Sequence, residues 1–135
     1  MNGRSFFDTN VLVYVVGRHD ERTARAEAIV AGGGVVSVQV LNELVSVARR
    51  KLGMTWEEIS EALAAIRTLC PSPVPLTIEI HEAALRIAAQ YGYHIYDALI
   101  AAAALEGDCA TLYSEDLQDG QVMDDRLTIR NPFPA

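Results

Sequence analysis

Short apolar runs alternate along the chain with longer segments in which apolar residues recur every three to four positions. This pattern predicts β-strands alternating with amphipathic α-helices. The predicted strands are residues 5–7, 35–36, 110–113 and 127–129. The predicted helices are residues 11–16, 21–31, 38–52, 56–70, 78–91 and 96–106, with a turn or short helix at 115–117. Such alternation indicates an α/β fold, a three-layer sandwich with a mainly parallel central sheet flanked by helices.

Local signals mark several helix boundaries. Thr55 followed by Glu58 matches a capping box, so a helix should begin there. The glycines at 32–34 stop the second helix. The segment 95–105 is apolar on every side apart from one aspartate, which is typical of a buried helix.

The length of 135 residues suits one compact domain, so we expect a single domain over residues 1–135. Cys70 and Cys109 lack metal-ligand spacing and are expected to be reduced cytosolic thiols. No signal peptide is evident, and the longest apolar run, 95–105, is too short to span a bilayer. We therefore expect a cytoplasmic protein with no membrane association.

The formal net charge of −7 and the pI of about 4.8 argue against a general nucleic-acid binder, because phosphate contacts need lysine and arginine. Two features weaken that objection. Bound cations would neutralise acids that cluster in one place. The basic residues are nearly all arginine, which forms forked contacts with phosphate, and Lys51 is the only lysine.

Two acids follow predicted strands. Asp8 ends the first strand, and Asp116 comes shortly after the strand 110–113. In a parallel sheet, ligands bind beyond the carboxyl ends of the strands, so both acids are candidates for a site there. Each also has an ordinary explanation, since aspartate commonly caps helices and occupies loops.

Asp97 and Glu43 are the other two candidates. Asp97 is the only charge between residues 95 and 105, and a buried carboxylate is costly unless it is paired or binds metal. A position in the first turn of a helix, favoured by the helix dipole, is the alternative. Glu43 lies on the border of the apolar face of its helix, where it could reach a cleft or simply be solvated. Carboxylates that converge in one pocket could ionise together only beside cations, and hard oxygen ligands favour Mg²⁺ or Mn²⁺.

At these residues the sequence resembles the PIN-domain ribonucleases, most closely the VapC-type toxins of toxin–antitoxin pairs. The similar segments are residues 7–14, 37–44, 96–103 and 112–120, which occur in the family order and span almost the whole chain. The resemblance implies a PIN-like parallel sheet between helices, usually in a homodimer. It also implies a cognate VapB-like antitoxin that occupies the active-site groove.

The resemblance further implies an acidic quartet and two supporting polar residues, with Thr9 shaping the turn after the first strand. The quartet is Asp8, Glu43, Asp97 and Asp116, and the supporting residues are Asn10 and Ser114. The three aspartates, with Glu43 bound directly or through water, would hold one or two Mg²⁺ or Mn²⁺ ions. A water activated by the metal would then cleave RNA endonucleolytically and leave 5′-phosphate and 3′-hydroxyl ends.

Several basic residues could contact RNA phosphates, although exposed ion pairs with nearby acids explain them equally well. They form two groups on predicted helices, Arg18, Arg22 and Arg25 in one and Arg49 and Arg50, beside Lys51, in the other. The scattered histidines, His19, His81 and His94, have no spacing that supports metal-free acid–base cleavage.

Two other functions remain as alternatives. A metal-dependent phosphatase with an aspartate nucleophile would need a second acid two residues after Asp8 and a lysine near the phosphate. Asn10 stands at that position, and the only lysine, Lys51, lies on a helix beside Arg50, so the charged partners that a phosphatase needs are missing. A non-catalytic PIN-like binding module would keep the acids for structure alone. Divalent ions would not raise its melting temperature strongly.

Overall fold

The computed structural model describes residues 3–17 and 20–133, which contain four strands and six helices. The strands are β1 Arg4–Phe7, β2 Cys109–Tyr113, β3 Val122–Met123 and β4 Leu127–Arg130. The helices are α1 Thr9–Gly17, α2 Glu21–Val30, α3 Val38–Arg50, α4 Trp56–Leu69, α5 Ile78–Tyr91 and α6 Ile95–Glu106. The predicted α/β alternation is confirmed.

The sheet has the strand order β1-β2-β4-β3. β1 pairs with β2 and β2 with β4 in parallel, while β3 and β4 are antiparallel, so the predicted, mainly parallel sheet is confirmed. Phe7 at the end of β1 lies opposite Tyr113 at the end of β2. The residues that follow these two strands therefore leave the same edge of the sheet side by side.

The predicted strand at 35–36 is reduced to a single parallel bridge between Val35 and Phe6. Val35 still exchanges two backbone hydrogen bonds with β1, at 2.8 and 3.1 Å. Gly34 permits this approach, because a Cβ atom there would lie 2.5 Å from the carbonyl oxygen of Ser5. This contact fixes the start of α3, whose N-cap is Ser37, next to β1.

The short strand β3 has no counterpart among the predicted elements. It pairs with β4 through a tight turn in which Asp124 and Asp125 have φ angles of 52° and 57°. Both residues adopt the left-handed conformation, and the backbone nitrogen of Arg126 donates to the carbonyl oxygen of Met123 at 3.1 Å to close the turn. A strand of two residues is too short to produce an alternating pattern in the sequence.

The predicted burial of α6 is confirmed, since Ala98 and every residue from 100 to 105 are buried. α6 packs against β2 and α5, while α1 contacts both α2 and α3. The capping box at the start of α4 is also confirmed, because Thr55 and Glu58 each accept a hydrogen bond from the other's backbone nitrogen. No helix in the described ranges is long and apolar enough to cross a membrane.

Candidate functional site

The site begins where β1 and β2 end. The backbone nitrogen of Asp8 donates to the carbonyl oxygen of Tyr113 at 3.0 Å, which continues the β1–β2 ladder by one residue. Asp8 and Ser114 therefore lie next to each other, although 106 positions separate them in the sequence. Both side chains are buried, Asp8 at 5% exposure and Ser114 at 0%.

Asp8 is held by three donors. Its Oδ1 accepts from the backbone nitrogen of Thr9 at 2.7 Å. Its Oδ2 accepts from the hydroxyl of Ser114 at 2.7 Å and from the amide of Asn10 at 3.3 Å. The carboxylate is thus fixed in one orientation at the base of the site.

Ser114 and Asn10 connect Asp8 to Asp116. The hydroxyl oxygen of Ser114 accepts from the backbone nitrogens of Asp116 and Leu117, at 3.1 and 3.3 Å. The Asn10 amide nitrogen also donates to Asp116 Oδ2 at 3.1 Å, and its Oδ1 accepts from the nitrogen of Glu115 at 3.1 Å. The loop after β2 is therefore tied to the start of α1 by the two polar residues expected to support the site.

Glu43 reaches the same region from α3. Its Oε1 accepts from the Thr9 hydroxyl at 2.7 Å, and its Oε2 accepts from the Gln39 amide at 2.8 Å. Thr9 was expected only to shape the turn after β1, and Gln39 was not singled out. The spacing of four residues between Gln39 and Glu43 is a local signal for a helical contact, whereas nothing local links Thr9 to Glu43.

Asp97 lies in the first turn of α6 and is half-buried rather than enclosed. No described residue donates a hydrogen bond to its carboxylate. Burial raises the pKa of Asp97, and the negative charges of Asp116 and Glu43 raise it further, while His94 opposes the shift. His94 itself caps α6, accepting from the nitrogen of Tyr96 at 3.2 Å.

Burial also raises the pKa of Asp8, from 3.8 to about 6. The hydrogen bonds from Ser114 and Thr9 oppose this shift, and the charges of Glu43 and Asp116 add to it. Glu43 and Asp116 thus act on both Asp8 and Asp97. The negative charges of two of the predicted acids therefore disfavour ionisation of the other two.

The chemistry of this group suits a hard divalent cation, because every side-chain donor is an oxygen and the carboxylates repel one another. Within residues 3–17 and 20–133, however, no three His, Cys, Asp or Glu side chains are arranged to hold one metal ion. Protein donors occupy oxygen atoms of Asp8, Glu43 and Asp116. Those carboxylates would exchange some of these hydrogen bonds for metal contacts on binding an ion.

An open cleft of about 460 Å³ is lined by Glu43 and Asp116, whereas Asp8 and Asp97 are not among its lining residues. Its polar lining residues are Thr9, Asn10, Tyr14, Glu43, Ser46, Arg50, Lys51, Glu115 and Asp116. Of the arginines proposed as phosphate contacts, Arg50 lines the cleft. Glu115, which was noted only as a neighbour of Asp116, accepts from the hydroxyl of Tyr14 at 2.9 Å.

The other proposed arginines that the structure describes are engaged elsewhere. Arg22 donates to the Tyr14 hydroxyl at 3.0 Å, and Arg25 donates to the carbonyl oxygen of Pro132 at 3.0 Å. Arg49 donates to the carbonyl oxygen of Met54 at 2.9 Å and lies over the ring of Trp56. Arg18 and His19 lie outside the described residues.

Replacing Ser114 with alanine is expected to destabilise the protein by about 1 to 2 kcal/mol, because the buried Leu117 nitrogen would lose its acceptor and the buried Asp8 carboxylate would lose a donor. Urea denaturation measures this change. Ser60→Ala, at an exposed position of α4, is the matched control and should change the stability by less than about 0.5 kcal/mol. Equal effects of the two substitutions would contradict a linking role for the Ser114 hydroxyl.

Comparison with known proteins places the chain in a structural context. Residues 5–118 match the model of the PIN domain family. No curated protein sequence matches the chain. The match to the family model covers well over half of the chain, including all four acids.

Several solved structures are similar to this chain in fold. The toxin VapC20 of Mycobacterium tuberculosis, described as cleaving the sarcin–ricin loop, is 22% identical with a TM-score of 0.66, covering 80% of this chain and 86% of that one. A toxin–antitoxin complex from Klebsiella pneumoniae is 16% identical with a TM-score of 0.73, covering 97% and 99%. VapBC2 of Rickettsia felis, bound to promoter DNA, is 18% identical with a TM-score of 0.64, covering 94% and 98%. At these identities the likeness establishes a shared fold.

Proposed function

The chain belongs to the PIN domain family, and we propose that it is a divalent-metal-dependent endoribonuclease, the toxin of a toxin–antitoxin pair. PIN domains are nucleases that generally depend on divalent metal ions. The observation that carries the proposal is one hydrogen-bonded network beside the carboxyl ends of β1 and β2, in which Thr9, Asn10 and Ser114 hold the carboxylates of Asp8, Glu43 and Asp116. Such a group is suited to cations and, through them, to phosphodiesters.

The four acids would hold one or two Mg²⁺ or Mn²⁺ ions. A bound ion supplies a Lewis acid that activates water and offsets the charge that develops on the phosphate. Asp8 sits at the base of the site, while Asp97 and Asp116 approach from α6 and from the loop after β2. Because the pKa of Asp8 is about 6, its carboxyl group would release a proton as a cation binds near pH 6.

The remaining polar residues orient these acids. Thr9 and Gln39 each hold one oxygen of Glu43, which fixes the rotamer of a long side chain. Asn10 and Ser114 fix Asp8 relative to Asp116. Pre-set carboxylates reduce the reorganisation that ion binding requires, although some hydrogen bonds must be exchanged. We propose that water rather than a side chain attacks the phosphorus and that the bond to the 3′ oxygen breaks, so the products would carry 5′-phosphate and 3′-hydroxyl ends.

The toxin assignment rests on what the similar structures contain. The complexes from Klebsiella pneumoniae and Rickettsia felis pair a chain of this fold with an antitoxin. We therefore propose a small VapB-like antitoxin as the partner of this chain, seated over the cleft, and a homodimer as its assembly. We propose RNA as the substrate, and VapC20, which shares the fold, is described as cleaving the sarcin–ricin loop.

A non-catalytic binding module is the second candidate. It is favoured by one observation, that no three acidic side chains among the described residues are arranged to hold an ion. In such a module Asp8, Glu43 and Asp116 would only support the hydrogen-bond network that includes Thr9, Asn10 and Ser114. Mg²⁺ or Mn²⁺ would then leave the melting temperature of the protein nearly unchanged.

The deciding experiment is incubation of a total small-RNA pool with purified, antitoxin-free protein in Mg²⁺, in Mn²⁺ and in EDTA. We expect cleavage that requires metal and leaves 5′-phosphate ends, together with a metal-dependent rise in melting temperature. Cleavage in EDTA that leaves cyclic phosphate ends would contradict the acidic-site mechanism. Absence of both cleavage and a melting shift would favour the non-catalytic module.

A further inference from the structure

The cleft that Glu43 and Asp116 line carries side chains of both charges. Its acidic residues are Glu43, Glu115 and Asp116, and its basic residues are Arg50 and Lys51 from the end of α3. The acidic side chains would repel a phosphodiester strand that enters the cleft unless positively charged groups, such as basic side chains or metal ions, lay beside them. Arg50 and Lys51 are the basic residues among those that line the cleft.

The conformation of Arg50 fits a role inside the cleft. Its Nε donates to the hydroxyl of Ser46, four residues earlier, at 3.1 Å. The side chain therefore leans back along α3 towards Glu43 and away from the carbonyl groups at the end of the helix. Ser46 also lines the cleft, so this hydrogen bond keeps the guanidinium on the cleft side of α3.

The neighbouring Arg49 provides an internal contrast. Its guanidinium donates to Met54 and stacks over Trp56, so this arginine closes the end of α3 against the start of α4. For Arg50, Ser46 occupies Nε and leaves the two terminal nitrogens available; no residue of the described ranges forms an ion pair with Arg50 or Lys51. A guanidinium with free terminal nitrogens matches the forked geometry of a phosphate group.

We propose that Arg50, held by Ser46, and Lys51 bind a backbone phosphate of the RNA strand next to the phosphate that is cleaved. The inference rests on the proposed nuclease function. Arg50 lies seven residues beyond Glu43, about 10 Å along the helix axis, and its hydrogen bond to Ser46 turns the guanidinium back towards Glu43. The bound phosphate would therefore be a neighbour of the reacting one. Arg50 and Lys51 are thus positioning residues that set the direction of the strand across the acids.

The test is binding of a fluorescein-labelled, mixed-sequence single-stranded RNA in EDTA, measured by fluorescence anisotropy over a series of salt concentrations. Arg50→Ala is expected to weaken binding about tenfold. It should also lower the slope of log K against log salt by about 0.7, the value for one lost contact to single-stranded nucleic acid. Arg50→Lys should retain the slope because it retains the charge. Lys51→Ala should lower the slope by a similar amount.

Arg67→Ala is the matched control, since it removes one exposed charge from α4, outside the cleft. An equal loss of affinity in this control, an unchanged slope in Arg50→Ala, or no binding by the unmodified protein would overturn the inference. The two proposals can fail separately. Metal-dependent cleavage with normal RNA affinity in Arg50→Ala would refute the phosphate contact alone. If Arg50→Ala weakens RNA binding and lowers the salt slope as expected, but the unmodified protein does not cleave RNA, the nuclease proposal alone would be refuted.

Discussion

Asp97→Asn is expected to lower the rate of metal-dependent RNA cleavage by about 100-fold to 1,000-fold, equivalent to several kcal/mol of lost transition-state stabilisation. The substitution removes one of the four negative charges of the proposed site and replaces a proposed metal-ligand oxygen with an amide nitrogen. Asp97 is half-buried, and no described residue donates to its carboxylate. The fold should therefore tolerate the change, and the melting temperature in EDTA should stay the same or rise slightly.

The rate is measured on the RNA substrate identified from the small-RNA pool, at saturating Mg²⁺ or Mn²⁺. Asp125→Asn is the matched control, because Asp125 is an exposed aspartate of the β3–β4 turn, outside the cleft. This control should cleave at the unmodified rate. Full activity in Asp97→Asn would remove Asp97 from the proposed site. A lowered melting temperature would mean that lost activity reflects unfolding.

Ionisation of Asp8 is expected to lower the free energy of unfolding of the metal-free protein as the pH rises from about 4 to about 6. Its pKa is 3.8 in an unfolded chain and about 6 in the fold, so the folded state retains the proton more strongly. The stabilising contribution of protonated Asp8 is fully present below pH 3.8 and is lost as the pH passes about 6. The difference between the two pKa values corresponds to a loss of about 3 kcal/mol.

Urea denaturation in EDTA between pH 4 and pH 8 measures this effect against Asp8→Asn, which cannot titrate. We expect the stability of the variant relative to the unmodified protein to increase across this range by up to about 3 kcal/mol. Asp125→Asn should show no such trend, since Asp125 is exposed. A constant difference between the Asp8→Asn variant and the unmodified protein would mean that Asp8 is ionised throughout and that its burial is not costly.

The sequence by itself determined the secondary structure closely. The capping box at Thr55, the apolar segment that became α6 and the short runs that became β1 and β2 are all signals carried within a few neighbouring residues. Local patterns of this kind specify a helix or strand because they reflect backbone geometry and burial of one face. They also placed Asp8 and Asp116 after strands, which was enough to predict their meeting at one edge of a parallel sheet.

Only the tertiary structure decided which residues hold the acidic side chains and which arginines line the same cleft. The hydrogen bond from Thr9 to Glu43 spans 34 positions, and that from Ser114 to Asp8 spans 106. The opposite roles of Arg49 and Arg50 depend on Met54, Trp56 and Ser46. Such contacts depend on how whole elements pack, because side chains distant in sequence meet only after β1, β2, α3 and α6 have come together.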